Sequence, residues 1–153
     1  MRDFSEPARA TGPGVVADGP SGVATILVID PAGEALHNDI PATWRPLADT
    51  VRVVWLRVPA APSWKSTVDK VLSMHRDDTS TQLDVVTSGP LATDVLDLVR
   101  DHADLVRSVL LVDPEADFPS ARVIARSQGT PPPLPLGHPD VVAGVLKALD
   151  DLG

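Results

Sequence analysis

Apolar residues in this chain come in short dense runs, separated by stretches where they recur every three or four positions. The runs are "ATILVID" (24–30), "VRVVWLRV" (51–58), "LDVVTS" (83–88), "VRSVLLVD" (106–113) and "ARVIARS" (121–127). They are β-branched and nearly continuous in apolarity, which predicts strands covered on both faces. Over 90–104, Leu91, Val95, Leu98 and Val99 fall at i, i+4, i+7 and i+8. Over 139–152, Val141, Val142, Val145, Leu146, Leu149 and Leu152 make a wide stripe of the same period. Both patterns predict amphipathic helices. A further helix is expected over 64–76, with Ser63 as its N-cap and Val68, Val71, Leu72 and His75 on its inner side. "PATWRPLAD" (41–49) predicts a short helix with Pro41 in its first turn, its regularity limited by Pro46.

Alternation of strand and helix is the mark of an α/β fold with a parallel sheet. The expectation is a three-layer domain with a five-stranded, mainly parallel sheet. Right-handed crossovers allow the order 2-1-3-4-5, with the switch point between the first and third strands. That places the loop "DPAGEALHND" and the turn "TSGPLAT" on one crevice. Residues 1–22 are rich in Gly, Pro, Ala and charge without periodicity, and are read as a flexible N-terminal arm with a short extended piece around Val15-Val16. Residues 23–153 form the domain.

Composition narrows the function. A chain of 153 residues buries a core without a metal or disulfide staple. Net charge is −8, which repels phosphate backbones and anionic lipid in the absence of a basic patch, and no apolar run approaches a membrane span. Only 3% of residues are aromatic, so stacking platforms for bases are scarce. Neither nucleic acid nor membrane is an expected partner. The N-terminus lacks the apolar stretch of a secretory signal, so the expected location is cytoplasmic.

The usual cofactor signatures are missing. Neither G-x-G-x-x-G nor G-x-x-x-x-G-K-[ST] occurs, and His37, His75 and His102 are spaced irregularly with no H-x-x-x-H pair, so no cofactor and no metal are expected. Asp77-Asp78 and Asp150-Asp151 read as solvated helix ends, and "PPPLP" (131–135) as a stiff spacer.

"ILVIDPAGEALHNDIPATWRPLADTVRVVWLRVP", "LDVVTSGPLATDVLDLVRDHADLVRSVLLVDP" and "LGHPDVVAGVLKAL" together resemble an α/β-hydrolase of the thioesterase-like kind, over roughly residues 22–152. The first stretch is similar to the opening strand, oxyanion loop, Trp-containing helix and second strand of that family. The second is similar to its nucleophile strand, elbow helix and following strand, and the third to its His loop and terminal helix.

The resemblance implies a candidate triad of Ser88, His138 and Asp113, with an oxyanion or anion site at Ala32, Gly33 and Gly89. The elbow G-x-S-x-G is altered. Centred on Ser88 it reads Val86-Thr87-Ser88-Gly89-Pro90, and alignment of the following helix and strand puts Gly89 at the nucleophile position. The expectation is therefore a positive φ at Gly89, with Ser88 still on the strand and Pro90 at the helix start. "ARSQGTPPPLPLG" supplies no acid where the family places one, and Asp30 stands where an oxyanion loop often carries His. No cap insertion lies between the fourth and fifth strands. The implied function is that of a degenerate hydrolase-like protein without standard triad catalysis, binding a protein partner or a second copy through its uncapped crevice edge, with Trp64 and "PPPLPL" as contact candidates. The alternative is a small serine esterase or thioesterase in which Ser88 attacks, His138 takes the proton and Asp113 orients the imidazole.

Overall fold

The structure is a computed structural model and describes residues 15–20, 24–30, 40–57, 64–78, 83–114, 116–127 and 134–152. Its strands are β1 (Val15–Asp18), β2 (Thr25–Asp30), β3 (Arg52–Arg57), β4 (Leu83–Ser88), β5 (Val106–Val112) and β6 (Arg122–Ala125). Its helices are α1 (Trp64–Asp78), α2 (Ala92–Arg100) and α3 (Pro139–Leu152). No helix among the described residues is long and apolar enough to cross a membrane.

The strands make one mixed, mostly parallel sheet, as the alternation of patterns predicts. Its count and order need correction: the described residues form six strands, in the order β1-β3-β2-β4-β5-β6, rather than five in the order 2-1-3-4-5. The added strand is β1, which pairs antiparallel with β3, Val15 opposite Leu56 and Asp18 opposite Val53. Four residues give too short a window for a period to emerge, and what holds β1 is the open edge of β3, a contact distant in sequence. It takes in the extended piece at Val15-Val16, and residues 1–14 lie outside the described residues.

The other pairings are all parallel. All six residues of both β2 and β4 are buried, as strands sandwiched between layers must be. Alternation along the strands divides the core into two. On one face Val28, Trp55, Val86 and Leu110 pack under Trp44 and Leu47 and against Val141, Val145 and Ala148 of α3. On the other, Leu27, Ile29, Val85 and Leu111 pack against Val68 and Leu72 of α1 and Val95 and Val99 of α2. α3 approaches the sheet closely where Gly144 crosses β6, since a Cβ there would collide with the Ile124 carbonyl oxygen.

Several boundaries shift for local reasons. "PATWRPLAD" forms two 3-10 turns, Ala42–Trp44 and Leu47–Asp49, divided at Arg45-Pro46 because Pro46 lacks the N–H that would continue one helix. The helix expected over 90–104 begins with a 3-10 turn, Gly89–Leu91, and ends at Arg100, after which residues 101–105 turn back into β5. Ser63 lies outside the described residues, as does the side chain of Trp64.

Candidate functional site

From β2 the chain crosses to β3 on one side, and from β3 it returns past β2 to β4 on the other, so the C-terminal ends of β2 and β4 diverge. Ile29 pairs with Thr87, so Asp30 and Ser88 stand side by side at the next position, on the face that α3 covers. Thr87, on the opposite face, donates its Oγ1–H to the Ile29 carbonyl at 2.9 Å and ties the two strand ends together.

Asp30 is fully buried, and its Oδ2 accepts the Trp55 indole N–H at 2.9 Å. Trp55 meets Trp44 edge to face, ring centroids 5.2 Å apart, and the Trp44 N–H reaches the Leu136 carbonyl at 2.8 Å. The Thr43 hydroxyl donates to the neighbouring Gly137 carbonyl. The two tryptophans thus carry order from the Asp30 carboxylate to the loop that sets down His138. Both find partners for their polar ends, as buried indoles do.

Ser88 is 1% exposed and extended (φ −106°, ψ 167°), and its Oγ is the buried side-chain polar atom that lacks any hydrogen-bond partner among the described residues. It remains on the strand, and Pro90 lies within the first turn that follows. Gly89 does not have the expected positive φ: among the described residues that conformation occurs at Gly19 and Asp113. The chain leaves β4 through a right-handed 3-10 turn rather than a left-handed elbow. Glycine is required at position 89 for a different reason. A Cβ there would strike the Asp113 carbonyl oxygen at the end of β5. Close backbone approach, not a dihedral, selects it.

The three candidate triad residues are each engaged elsewhere or unengaged. Asp113 adopts φ 49°; its Oδ1 accepts the Ser127 N–H at 2.7 Å and its Oδ2 the Leu134 N–H at 2.8 Å. One carboxylate therefore fastens both ends of the segment 128–133. His138 is 38% exposed at its side chain and immediately precedes α3. Its carbonyl accepts from Val141 N–H at 2.9 Å, and its Nδ1 accepts from Asp140 N–H at 3.0 Å. A neutral imidazole with Nδ1 accepting carries its proton on Nε2. A triad base has the reverse tautomer, with Nδ1–H held by the acid and Nε2 open to the serine. No hydrogen bond links Ser88, His138 and Asp113. Ala32 and Gly33 lie outside the described residues, and Gly89 contributes the first residue of the 3-10 turn.

Polar groups that the sequence reading passed over sit elsewhere. At the opposite end of β4, Asp84 is 1% exposed and faces two residues of β5, because the ladder skips from Leu83–Val106 to Asp84–Ser108 and leaves Arg107 bulged. Arg107 donates Nε–H and Nη2–H to the carboxylate at 3.1 and 2.7 Å, and Ser108 Oγ–H adds a third bond at 2.6 Å. These bonds, then the neighbouring charge, outweigh desolvation and raise the Arg107 pKa, so the guanidinium stays charged. A charge inside the apolar run "LDVV" was the available signal, since buried acids require partners. His102, nearly buried just past α2, meets Asp69 of α1 with its Nε2 at 2.8 Å and fastens those helices together. Among the described residues no group of three or more His, Cys, Asp or Glu is placed to hold a metal ion.

No family model matches the chain, and no curated protein matches it. Among solved structures it is similar to the crystal structure of wild-type Cfl2 from Burkholderia cenocepacia, with a TM-score of 0.45 and 18% identity. That match covers 72% of this chain and 41% of the other, so this chain spans less than half the length of the protein it is matched with.

Proposed function

We propose that this chain is a shortened α/β-hydrolase-like domain that acts as a binding or scaffold module and does not hydrolyse esters by a standard triad. The observation that carries this reading is the hydrogen bonding and placement of His138. Its Nδ1 is spent on the first turn of α3, and the Asp113 carboxylate that would orient it is spent on Ser127 and Leu134. Building the triad would require Nδ1 to give up the Asp140 N–H and carry a proton instead, and the Asp113 carboxylate to reach the imidazole while holding Ser127 and Leu134. A buried Asp30 carboxylate beside Ser88 also opposes the negative charge that an acyl-transfer intermediate develops. The partner is a protein or a second copy of this chain, met at the uncapped crevice edge.

One observation favours the serine esterase or thioesterase reading, in which Ser88, His138 and Asp113 act together. The Ser88 hydroxyl is buried without a partner, a state that costs about 1–3 kcal/mol and calls for a reason. A p-nitrophenyl acetate assay separates the two. The binding module is expected to show no turnover above the free-solution rate, identical in wild type and Ser88→Ala. Turnover abolished by Ser88→Ala would overturn it.

A further inference from the structure

Between the strand end at Asp30 and the loop 134–138 runs one unbroken line of buried polar and aromatic contacts. Trp55 Nε1–H donates to Asp30 Oδ2 at 2.9 Å, Trp55 and Trp44 meet edge to face at 5.2 Å, and Trp44 Nε1–H donates to the Leu136 carbonyl at 2.8 Å. Asp30 and both tryptophans are fully buried and Leu136 is 1% exposed, so water does not screen these contacts. The Thr43 hydroxyl, on the exposed side of the same 3-10 turn as Trp44, adds a bond to the Gly137 carbonyl.

The loop is gripped at three points. Asp113, just past β5, holds the Leu134 N–H at its start, and at its end the His138 carbonyl accepts from Val141 in the first turn of α3. The middle grip, from Thr43 and Trp44, comes from the segment between β2 and β3. It is a discrete one. If Leu136 withdraws, the buried Trp44 N–H loses its acceptor, a state costly enough that the indole must turn toward another acceptor or toward water. Turning the ring changes its edge-to-face contact with Trp55, and the Trp55 N–H then moves against the Asp30 carboxylate. Close-packed indoles have few positions open to them, so the loop and the strand end change together rather than sliding independently.

We propose that the tryptophan pair is a relay between the two ends of the crevice: a partner that draws on loop 134–138 alters the hydrogen bonding of Asp30, and with it the surroundings of Ser88. Coupling of this kind is reciprocal, so whatever engages the Asp30 end shifts loop 134–138, and His138 with it, by the same factor. Use of the relay by a partner rests on the binding-module reading above, whereas the relay itself is a property of the free chain and is tested there.

The test is hydrogen exchange followed by NMR on the full chain. It is read at the Trp55 indole N–H, at the His138 amide, which donates to the Pro135 carbonyl at 3.0 Å, and at the Val86 amide within β4 as a measure of global opening. Thr43→Val removes the exposed bond to Gly137 and leaves both tryptophans in place. It is expected to speed exchange of the Trp55 N–H, on the far side of the relay, about three- to tenfold with Val86 unchanged. Asp30→Asn keeps an acceptor for Trp55 but removes the charge that strengthens the bond, and is expected to speed the His138 amide about threefold. Arg122→Gln, which frees the far end of α3 from β6, is expected to leave both probes alone. A Thr43→Val effect that stops at residues 43, 44 and 137, or that reaches Val86 by the same factor as Trp55, would overturn the relay. So would a folded Asp30→Asn with an unchanged His138 amide; if that variant does not fold, Thr43→Val decides alone. Ester turnover that depends on Ser88 would sink the binding reading and leave this result standing.

Discussion

Asp84 and Ser88 stand four residues apart on one strand, point to the same face and are each 1% exposed, yet they live under opposite conditions. Asp84 takes three hydrogen bonds from Arg107 and Ser108, made possible by a bulge that brings two residues of β5 to one of β4. Ser88 takes none. A buried carboxylate without donors would unfold the strand or stay protonated, so the N-terminal end of β4 must close its polar bonds completely. A lone hydroxyl costs far less, and a fold tolerates it. The difference separates the two ends of the sheet: one is finished by its own side chains, while the other holds a group in reserve at the point where the strand order reverses.

Four measurements would break or sharpen that contrast. The largest effect is expected from Asp84→Ala, which strips Arg107 and Ser108 of their acceptor; urea unfolding should show a loss of about 2–3 kcal/mol, kept at the lower end because Arg107 remains a third exposed. A loss below about 0.5 kcal/mol would mean that the closed cluster is not what holds that end. Next comes Gly89→Ala, which forces a methyl group into the Asp113 carbonyl; a loss of about 2 kcal/mol is expected in the same assay, and Gly89→Ser should match it, since both bring the same Cβ. A tolerated alanine would show that β4 and β5 part easily beyond the sheet.

Ser88→Ala is expected to raise stability by about 1 kcal/mol, the low end of what a buried unpartnered hydroxyl costs, because no bond is lost and a polar atom leaves the interior. A loss above about 1.5 kcal/mol would show that the hydroxyl is satisfied in solution, and the contrast with Asp84 would close. The smallest effect concerns an exposed pair. Arg122 Nη2 donates to Asp151 at 2.7 Å, and this bond chiefly holds the Asp151 carboxyl below its ordinary pKa. A depressed carboxyl contributes stability above its unfolded pKa and loses it as the pH falls through its folded value. In Arg122→Gln an NMR titration should show the Asp151 pKa returning upward with the midpoint of unfolding almost unmoved. An unchanged Asp151 pKa would show that the ion pair does not form in solution.

Most of the layer architecture was legible because the apolar runs are long enough to declare a period: β2, β3, β4 and β5 and the stripes of α2 and α3 lie where the pattern puts them. β1 was not, since four residues carry no period and its identity as a strand comes from β3 alone. Leu146 belongs to the stripe expected inside α3, yet it is 50% exposed, so none of the described residues covers that flank. At the candidate site the sequence placed Ser88 on the strand and Pro90 in the opening turn. It could not say that Gly89 answers to a carbonyl on another strand, nor that Asp113 would turn toward Ser127 and Leu134. Those facts depend on contacts across 14 to 24 positions, which no local pattern records. The Asp84 cluster was readable in kind, as a charge within an apolar strand, though not in partner.

The contact between Trp44 and Trp55 has an optical consequence. The sequence contains no Tyr, so the near-ultraviolet spectrum beyond the range of phenylalanine belongs to its three tryptophans. Two of these are fully buried with ring centroids 5.2 Å apart and planes at 85°. Indoles held rigidly at that separation couple their transitions and give an intense circular dichroism band, while Trp55 donates to a carboxylate and Trp44 to a carbonyl. The chain therefore carries its own dye on the α3 face, wired to both the Asp30 strand end and the loop before His138. Loosening of that face weakens this coupled band without any label, and Trp64, the first residue of α1, adds its own separate contribution.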